Sequence, residues 1–190
     1  MMNEDNFEKL SKEVSYALRH APREYKLELD KEGWVPVKQL ISSLKEVRHW
    51  DSLTESDLRE MISKSQKKRH EIVNNKIRAL YGHSTPTKIT KEEACPPKYL
   101  YHGTSPESYK EIMVKGLLPM NRQYVHLSED INTANLVGSR KTDTPIILSI
   151  DTYAAREEGV KFYHGNDQVW LADSVPSKCI SVVDEFNQEK

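Results

Sequence analysis

Apolar residues keep helical spacing through the first half of this chain and give way to short strand-like runs in the second. The change falls at one polar stretch, GHSTPTKITKEEACPPKY, from Gly82 to Tyr99. It holds three prolines and no apolar periodicity, so it reads as a connector. Helical and strand periods expose their apolar faces differently and must be buried against different neighbours. The pattern therefore predicts an α+β chain of two lobes, residues 1–85 and 99–190, with a linker over 86–98. A chain of 190 residues is long enough to give each lobe a small core of its own.

In the first half, Phe7, Leu10, Val14, Ala17 and Leu18 follow helical spacing, and Pro22 stops that helix near Ala21. Val37, Leu40, Ile41, Leu44 and Val47 mark a second helix. A third starts at Thr54, with Asp57 placed for a near capping box, and buries Leu58, Met61 and Ile62. RHEIV, NN and KIRALY then read as a hairpin, because Asn74 and Asn75 tolerate the positive φ of a two-residue turn. Three helices followed by a hairpin predict a winged-helix arrangement. Beyond the connector, YLYHGT, YVHLS, PIILSID, GVKFYHG, QVWLAD and CISVVDEF read as strands of an antiparallel sheet. Helices fit Pro106–Lys115 and about Asp130–Val137, the second with a cap at Ser128 and a glycine C-cap at Gly138.

Composition removes several function classes. Net charge is −1, so the chain as a whole does not advertise a polyanion partner. Residues 1–90 carry 17 Lys+Arg against 14 Asp+Glu, and residues 91–190 carry 11 against 15, a mild asymmetry. No apolar run approaches the roughly 18 residues of a membrane span. The opening MMNEDNFEKL is too polar and acidic for a signal peptide. Cys95 and Cys179 stand in unrelated contexts, which suggests neither a disulfide framework nor a zinc site. A cytoplasmic monomer without membrane contact or metal is expected.

Few residues stand out as chemistry. SYALRHAP ends the first helix on Arg19 and His20, roughly 150° and 110° around the helix from its apolar face. Cations suit a helix C-terminus, and they also suit an anion held on a surface outside the core. In KKRHE, Arg69 is either part of a solvated basic loop or a second guanidinium facing the same anion, where its planar fork suits phosphate. YHGT places His102 on a strand end beside Gly103, which allows close backbone approach to a ligand, and Thr104, a possible donor. His126 lies on another strand with Ser128 behind it. Two strand histidines are either structural or a clamp for a ribose or diphosphate. Arg140 follows Gly138 at a helix end, where a dipole-complementing cation is the plain reading. No P-loop, dinucleotide fingerprint or nucleophile elbow is present.

In order along the chain, LS…ALRHAP, DKEGWVPVKQLI, KKRHEI, IRALYGHS, YHGTS, YVHLSED…TANLVGSRK, PIILSID and QVWLADSVP resemble the RNA 2′-phosphotransferase family of KptA type, over roughly residues 7–183. The resemblance implies an N-terminal winged-helix lobe, a C-terminal ADP-ribosyltransferase-like lobe, and an active cleft between them. It implies NAD-dependent removal of an internal 2′-phosphate from RNA, with NAD consumed as co-substrate. The 2′-phosphate attacks C1″ of NAD and expels nicotinamide. The 2″-hydroxyl then attacks phosphorus, giving 2′-OH RNA and ADP-ribose 1″,2″-cyclic phosphate. By motif, Arg19, His20, Arg69 and Arg140 engage the 2′-phosphate and support catalysis. His102, Gly103, Thr104 and His126 bind NAD, and Ser128 stands close by. The chain departs from the family's pattern at His70, at Tyr81 and in RKTDTP. An ADP-ribosyltransferase that stops after the first step, leaving ADP-ribose on a nucleic-acid phosphate end or a protein, and a winged-helix binding module with an inert second lobe are the competing readings.

Overall fold

The computed structural model describes residues 4–183. The expectations that fall on 1–3 and 184–190, including the end of the CISVVDEF strand, lie outside the described residues. The chain divides into two compact units, Met1–Thr90 and Lys91–Lys190.

Unit one runs through α1 (Glu4–Arg19), a 3-10 turn (Pro22–Tyr25), β1 (Val35–Pro36), α2 (Val37–Arg48), α3 (Glu55–Lys64), β2 (His70–Val73) and β3 (Lys76–Ala79). The five apolar residues that set the period of α1 are all buried, in one core with Leu40, Leu44, Leu58, Met61 and Ile77. Pro22 lacks an N–H and opens the 3-10 turn rather than continuing α1. Thr54 and Asp57 form a complete capping box: Asp57 N–H donates to Thr54 Oγ1 at 3.3 Å, and Thr54 N–H donates to Asp57 Oδ2 at 2.9 Å. Asn74 and Asn75 turn the hairpin at φ 48° and 59°. The hairpin is joined by β1, giving an antiparallel sheet in the order β1-β3-β2. This third strand was not anticipated. It is two residues long and ends in a proline, which only an edge position tolerates.

Unit two contains β4 (Tyr99–Thr104), α4 (Pro106–Lys115), β5 (Val125–Ser128), α5 (Ile131–Gly138), β6 (Ile146–Asp151), α6 (Thr152–Glu157), β7 (Phe162–Asn166), β8 (Val169–Ala172), a 3-10 turn (Ser177–Cys179) and β9 (Ile180–Val182). The strands form one antiparallel sheet in the order β7-β8-β5-β4-β6-β9, so β5 and β4 sit at its centre. Leu100, Leu127, Leu148, Ile150, Phe162 and Trp170 fill its core.

Two expected caps are corrected here. The N-cap of α5 is Asp130, whose carboxylate accepts from Thr133 N–H at 2.7 Å, while Ser128 is the last residue of β5. Gly138 does not terminate α5 in the left-handed conformation; it lies within the helix, and Ser139 is the cap. Across the stretch read as a linker, Ile89 is buried and Thr90 N–H donates to Lys31 O at 2.7 Å. Ala94 N–H donates to Phe162 O at 2.8 Å, on the other side of the division between units.

Candidate functional site

In unit one, α1 delivers Arg19 and His20 at its last turn, and the entry to β2 delivers Arg69. Arg19 Nη2 donates to the Arg69 carbonyl at 3.5 Å, an oxygen that also accepts Leu80 N–H at 2.9 Å. The Arg19 guanidinium lies 5.0 Å from the centre of the Tyr81 ring, a cation–π distance. Gly82 at φ 88° lies beneath it: a Cβ there would meet Nη1 at 3.4 Å and Cζ at 3.6 Å. His20 Nδ1 is 2.8 Å from Ser84 Oγ, and Ser84 N–H donates to Arg19 O at 2.9 Å.

His70, the first residue of β2, is buried beside this pair. Its Nε2 lies 3.0 Å from Ser15 Oγ. Burial pushes its pKa down to about 3, and the positive charges of Arg19 and Arg69 act in the same direction. The imidazole is therefore neutral at physiological pH, and both guanidinium charges lie close enough to be felt by it. Two cations and an exposed imidazole within one unit, set beside a neutral filler, form a surface suited to an anion with several oxygens.

In unit two, β4 carries His102, Gly103 and Thr104, and β5 carries His126 and Ser128. Tyr101 is paired with Ser128 across the two strands. His102 Nδ1 lies 3.0 Å from the His126 carbonyl oxygen, which only accepts, so Nδ1 holds the ring proton. Burial lowers the His102 pKa; the bond to the carbonyl opposes this, and the Lys141 charge assists it. The ring is neutral, with Nε2 left as an acceptor. Thr104 and Ser128 are buried hydroxyls on the same pair of strands. This set of neutral acceptors and hydroxyl groups suits a polyol such as a ribose better than it suits a charged group.

Gly103 does not stand open to a ligand on the side where its Cβ would be. A Cβ there would lie 2.0 Å from Ala134 O and 3.0 Å from Gly138 N, so its use is the close seating of α5 on β4. Gly138 makes the reciprocal approach, its missing Cβ facing Pro145 Cβ at 2.8 Å and Gly103 Cα at 3.2 Å. Arg140 is exposed two residues past Gly138, in a turn held by Arg140 N–H to Val137 O at 3.4 Å and Lys141 N–H to Gly138 O at 3.0 Å.

The structure thus brings Arg19, His20 and Arg69 together within unit one. Within unit two it gathers His102, Gly103, Thr104, His126 and Ser128, with Arg140 at the end of the helix seated on β4. Sequence reasoning missed Ser84, Ser15 and the stacking role of Tyr81. The signal for them was position alone, Ser15 in SYALRHAP and Tyr81 and Ser84 in IRALYGHS, where neither periodicity nor a known spacing marks a polar contact. Among the described residues, no group of three His, Cys, Asp or Glu side chains could hold a metal ion. No helix among them is long and apolar enough to cross a membrane.

The sequence model described as "RNA 2'-phosphotransferase, Tpt1 / KptA family" matches residues 5–174. A protein of Bacillus thuringiensis subsp. konkukian named "Probable RNA 2'-phosphotransferase" is 60% identical over 182 residues, covering 95% of this chain and 98% of its own. One of the same name from Acetivibrio thermocellus is 59% identical over 175 residues, covering 92% and 96%. Another from Pyrococcus horikoshii is 42% identical over 173 residues, covering 91% and 97%. A match that spans both units, together with relatives alike over nearly their whole length, establishes that this chain belongs to the RNA 2'-phosphotransferase, Tpt1 / KptA family.

Proposed function

We propose that the protein removes an internal 2′-phosphate from RNA in two steps with NAD as co-substrate, giving 2′-OH RNA and ADP-ribose 1″,2″-cyclic phosphate. The names of its relatives support the RNA 2′-phosphotransferase part of this reading. The observation that carries it is the cluster of Arg19, Arg69 and His20 in one unit, with a neutral His70 beside the two arginines. Unit one is read as a winged helix, supported by its three helices and three-stranded sheet. Unit two is read as an ADP-ribosyltransferase-like lobe that holds NAD.

The groups on β4 and β5 fit a ribose. His102 Nε2 accepts from a ribose hydroxyl, because its own proton is committed to the His126 carbonyl. Thr104, Ser128 and His126 supply the rest of the polar lining. NAD contributes the electrophilic ribose carbon and a good leaving group. Arg19, Arg69 and Arg140 bind the phosphoryl oxygens; in the transesterification, charge grows on these oxygens and the guanidinium groups stabilise it. A phosphate is already a nucleophile, so the first step needs no carboxylate base. His20 delivers a proton to the departing RNA 2′-oxygen, since imidazole gains and loses protons near neutral pH.

Incubation with NAD and a short RNA bearing one internal 2′-phosphate, followed by mass analysis, tests this. The cyclic phosphate together with 2′-OH RNA is expected. A stable ADP-ribose adduct on the RNA would assign the first step alone. No NAD consumption would overturn the reading.

A further inference from the structure

Ser84 bonds directly to the His20 ring from outside α1. Its Oγ lies 2.8 Å from His20 Nδ1, while its backbone N–H donates to Arg19 O at 2.9 Å. The backbone bond fixes where residue 84 stands relative to the end of α1. The side-chain bond then fixes the imidazole. The same segment packs Tyr81 and Gly82 against the Arg19 guanidinium. Three residues of one short segment therefore hold two adjacent ones.

We propose that Ser84 is a positioning residue for His20, holding Nδ1 so that Nε2 is the nitrogen that exchanges a proton with substrate. A serine hydroxyl both donates and accepts, so the bond survives protonation of the ring. When His20 is an imidazolium, Nδ1–H donates to Ser84 Oγ and Nε2 carries the second proton. Transfer of that proton from Nε2 to the RNA 2′-oxygen forms the product hydroxyl. It leaves a neutral ring whose remaining proton still rests on Nδ1, against the serine. Without Oγ, the ring loses the contact that holds Nδ1 in place. The catalytic half of this inference rests on the proposed function; the bond itself does not.

Ser84 is exposed, and its backbone contact to Arg19 does not depend on the side chain, so Ser84→Ala keeps the fold. Nitrogen-15 NMR of the His20 ring, assigned with His20→Ala, reads the bond directly. In Ser84→Ala the Nδ1 resonance moves, and in Ser84→Thr it returns. Ser84→Ala also lowers kcat about tenfold, the size expected for one lost hydrogen bond to a charged group. KM for RNA stays within about twofold, Ser84→Thr restores kcat, and Ser84→Ala adds no loss in a His20→Ala background. Unchanged ring nitrogen shifts in Ser84→Ala overturn the proposal whatever the activity. An unchanged kcat, or full additivity with His20→Ala, overturns the positioning role. If the shifts move but the unaltered chain consumes no NAD with phosphorylated RNA, the bond is upheld and the proposed function is what falls.

Discussion

Arg19 shows how far one residue can be read before its surroundings are known. On local pattern it is a cation at a helix C-terminus. In the structure its guanidinium reaches across to the Arg69 carbonyl and is stacked on Tyr81, contacts that fix its direction and that no helical wheel contains. Arg19→Ala, Arg69→Ala and Arg140→Ala are each expected to slow the second step by about 10²–10³ and to accumulate ADP-ribosylated RNA, seen in a time course by mass. Arg19→Lys is not expected to restore the rate, because an ammonium lacks the planar fork. His70 makes a prediction of a different kind. Its folded pKa, about 3, lies below its ordinary value of 6.5, so between these limits the unfolded chain binds more protons. Its contribution is fully present above pH 6.5 and is lost as pH falls toward 3. Thermal melts from pH 7 to pH 4 should show a falling midpoint, and His70→Gln should flatten that slope.

At the scale of elements, α5 on β4 is the contact that places half of the candidate site. Gly103→Ala would drive a methyl group into the Ala134 carbonyl, which is backbone and cannot swing aside. Equilibrium urea unfolding should report a loss of about 3 kcal/mol, the upper end for overpacking. Thr54→Ala opens the capping box of α3 and should cost about 1 kcal/mol in the same assay. The elements legible in the sequence were those with a local signal: the amphipathic period of α1 and α2, the Thr54 box, the Asn74–Asn75 turn and the start of α4 at Pro106. What stayed hidden depends on partners distant in the chain. β1 exists because Val35 pairs with Ile77, and the six-strand order is set by which edges meet. α6, at six residues, is too short to show a period. For the same reason His102 and His126 were visible as strand histidines, whereas the bond from one ring to the other's carbonyl was not.

The whole molecule has two cores with no residue in common, one drawn from Phe7–Ala79 and the other from Leu100–Ile180. Leu44→Ala, at a fully buried site of unit one, should cost about 2–5 kcal/mol. Hydrogen exchange is expected to speed up for amides of α1, α2 and α3 and to leave those of β4, β5 and β6 at their original rates. The Gly103–Gly138 seam has a mechanical consequence for unit two. With backbone laid directly on backbone and no side chain between, there is no compressible layer to absorb thermal jostling. Strand β4 and the turn bearing Arg140 therefore travel together, and the spacing between His102 on the first and Arg140 on the second behaves as a stiff ruler.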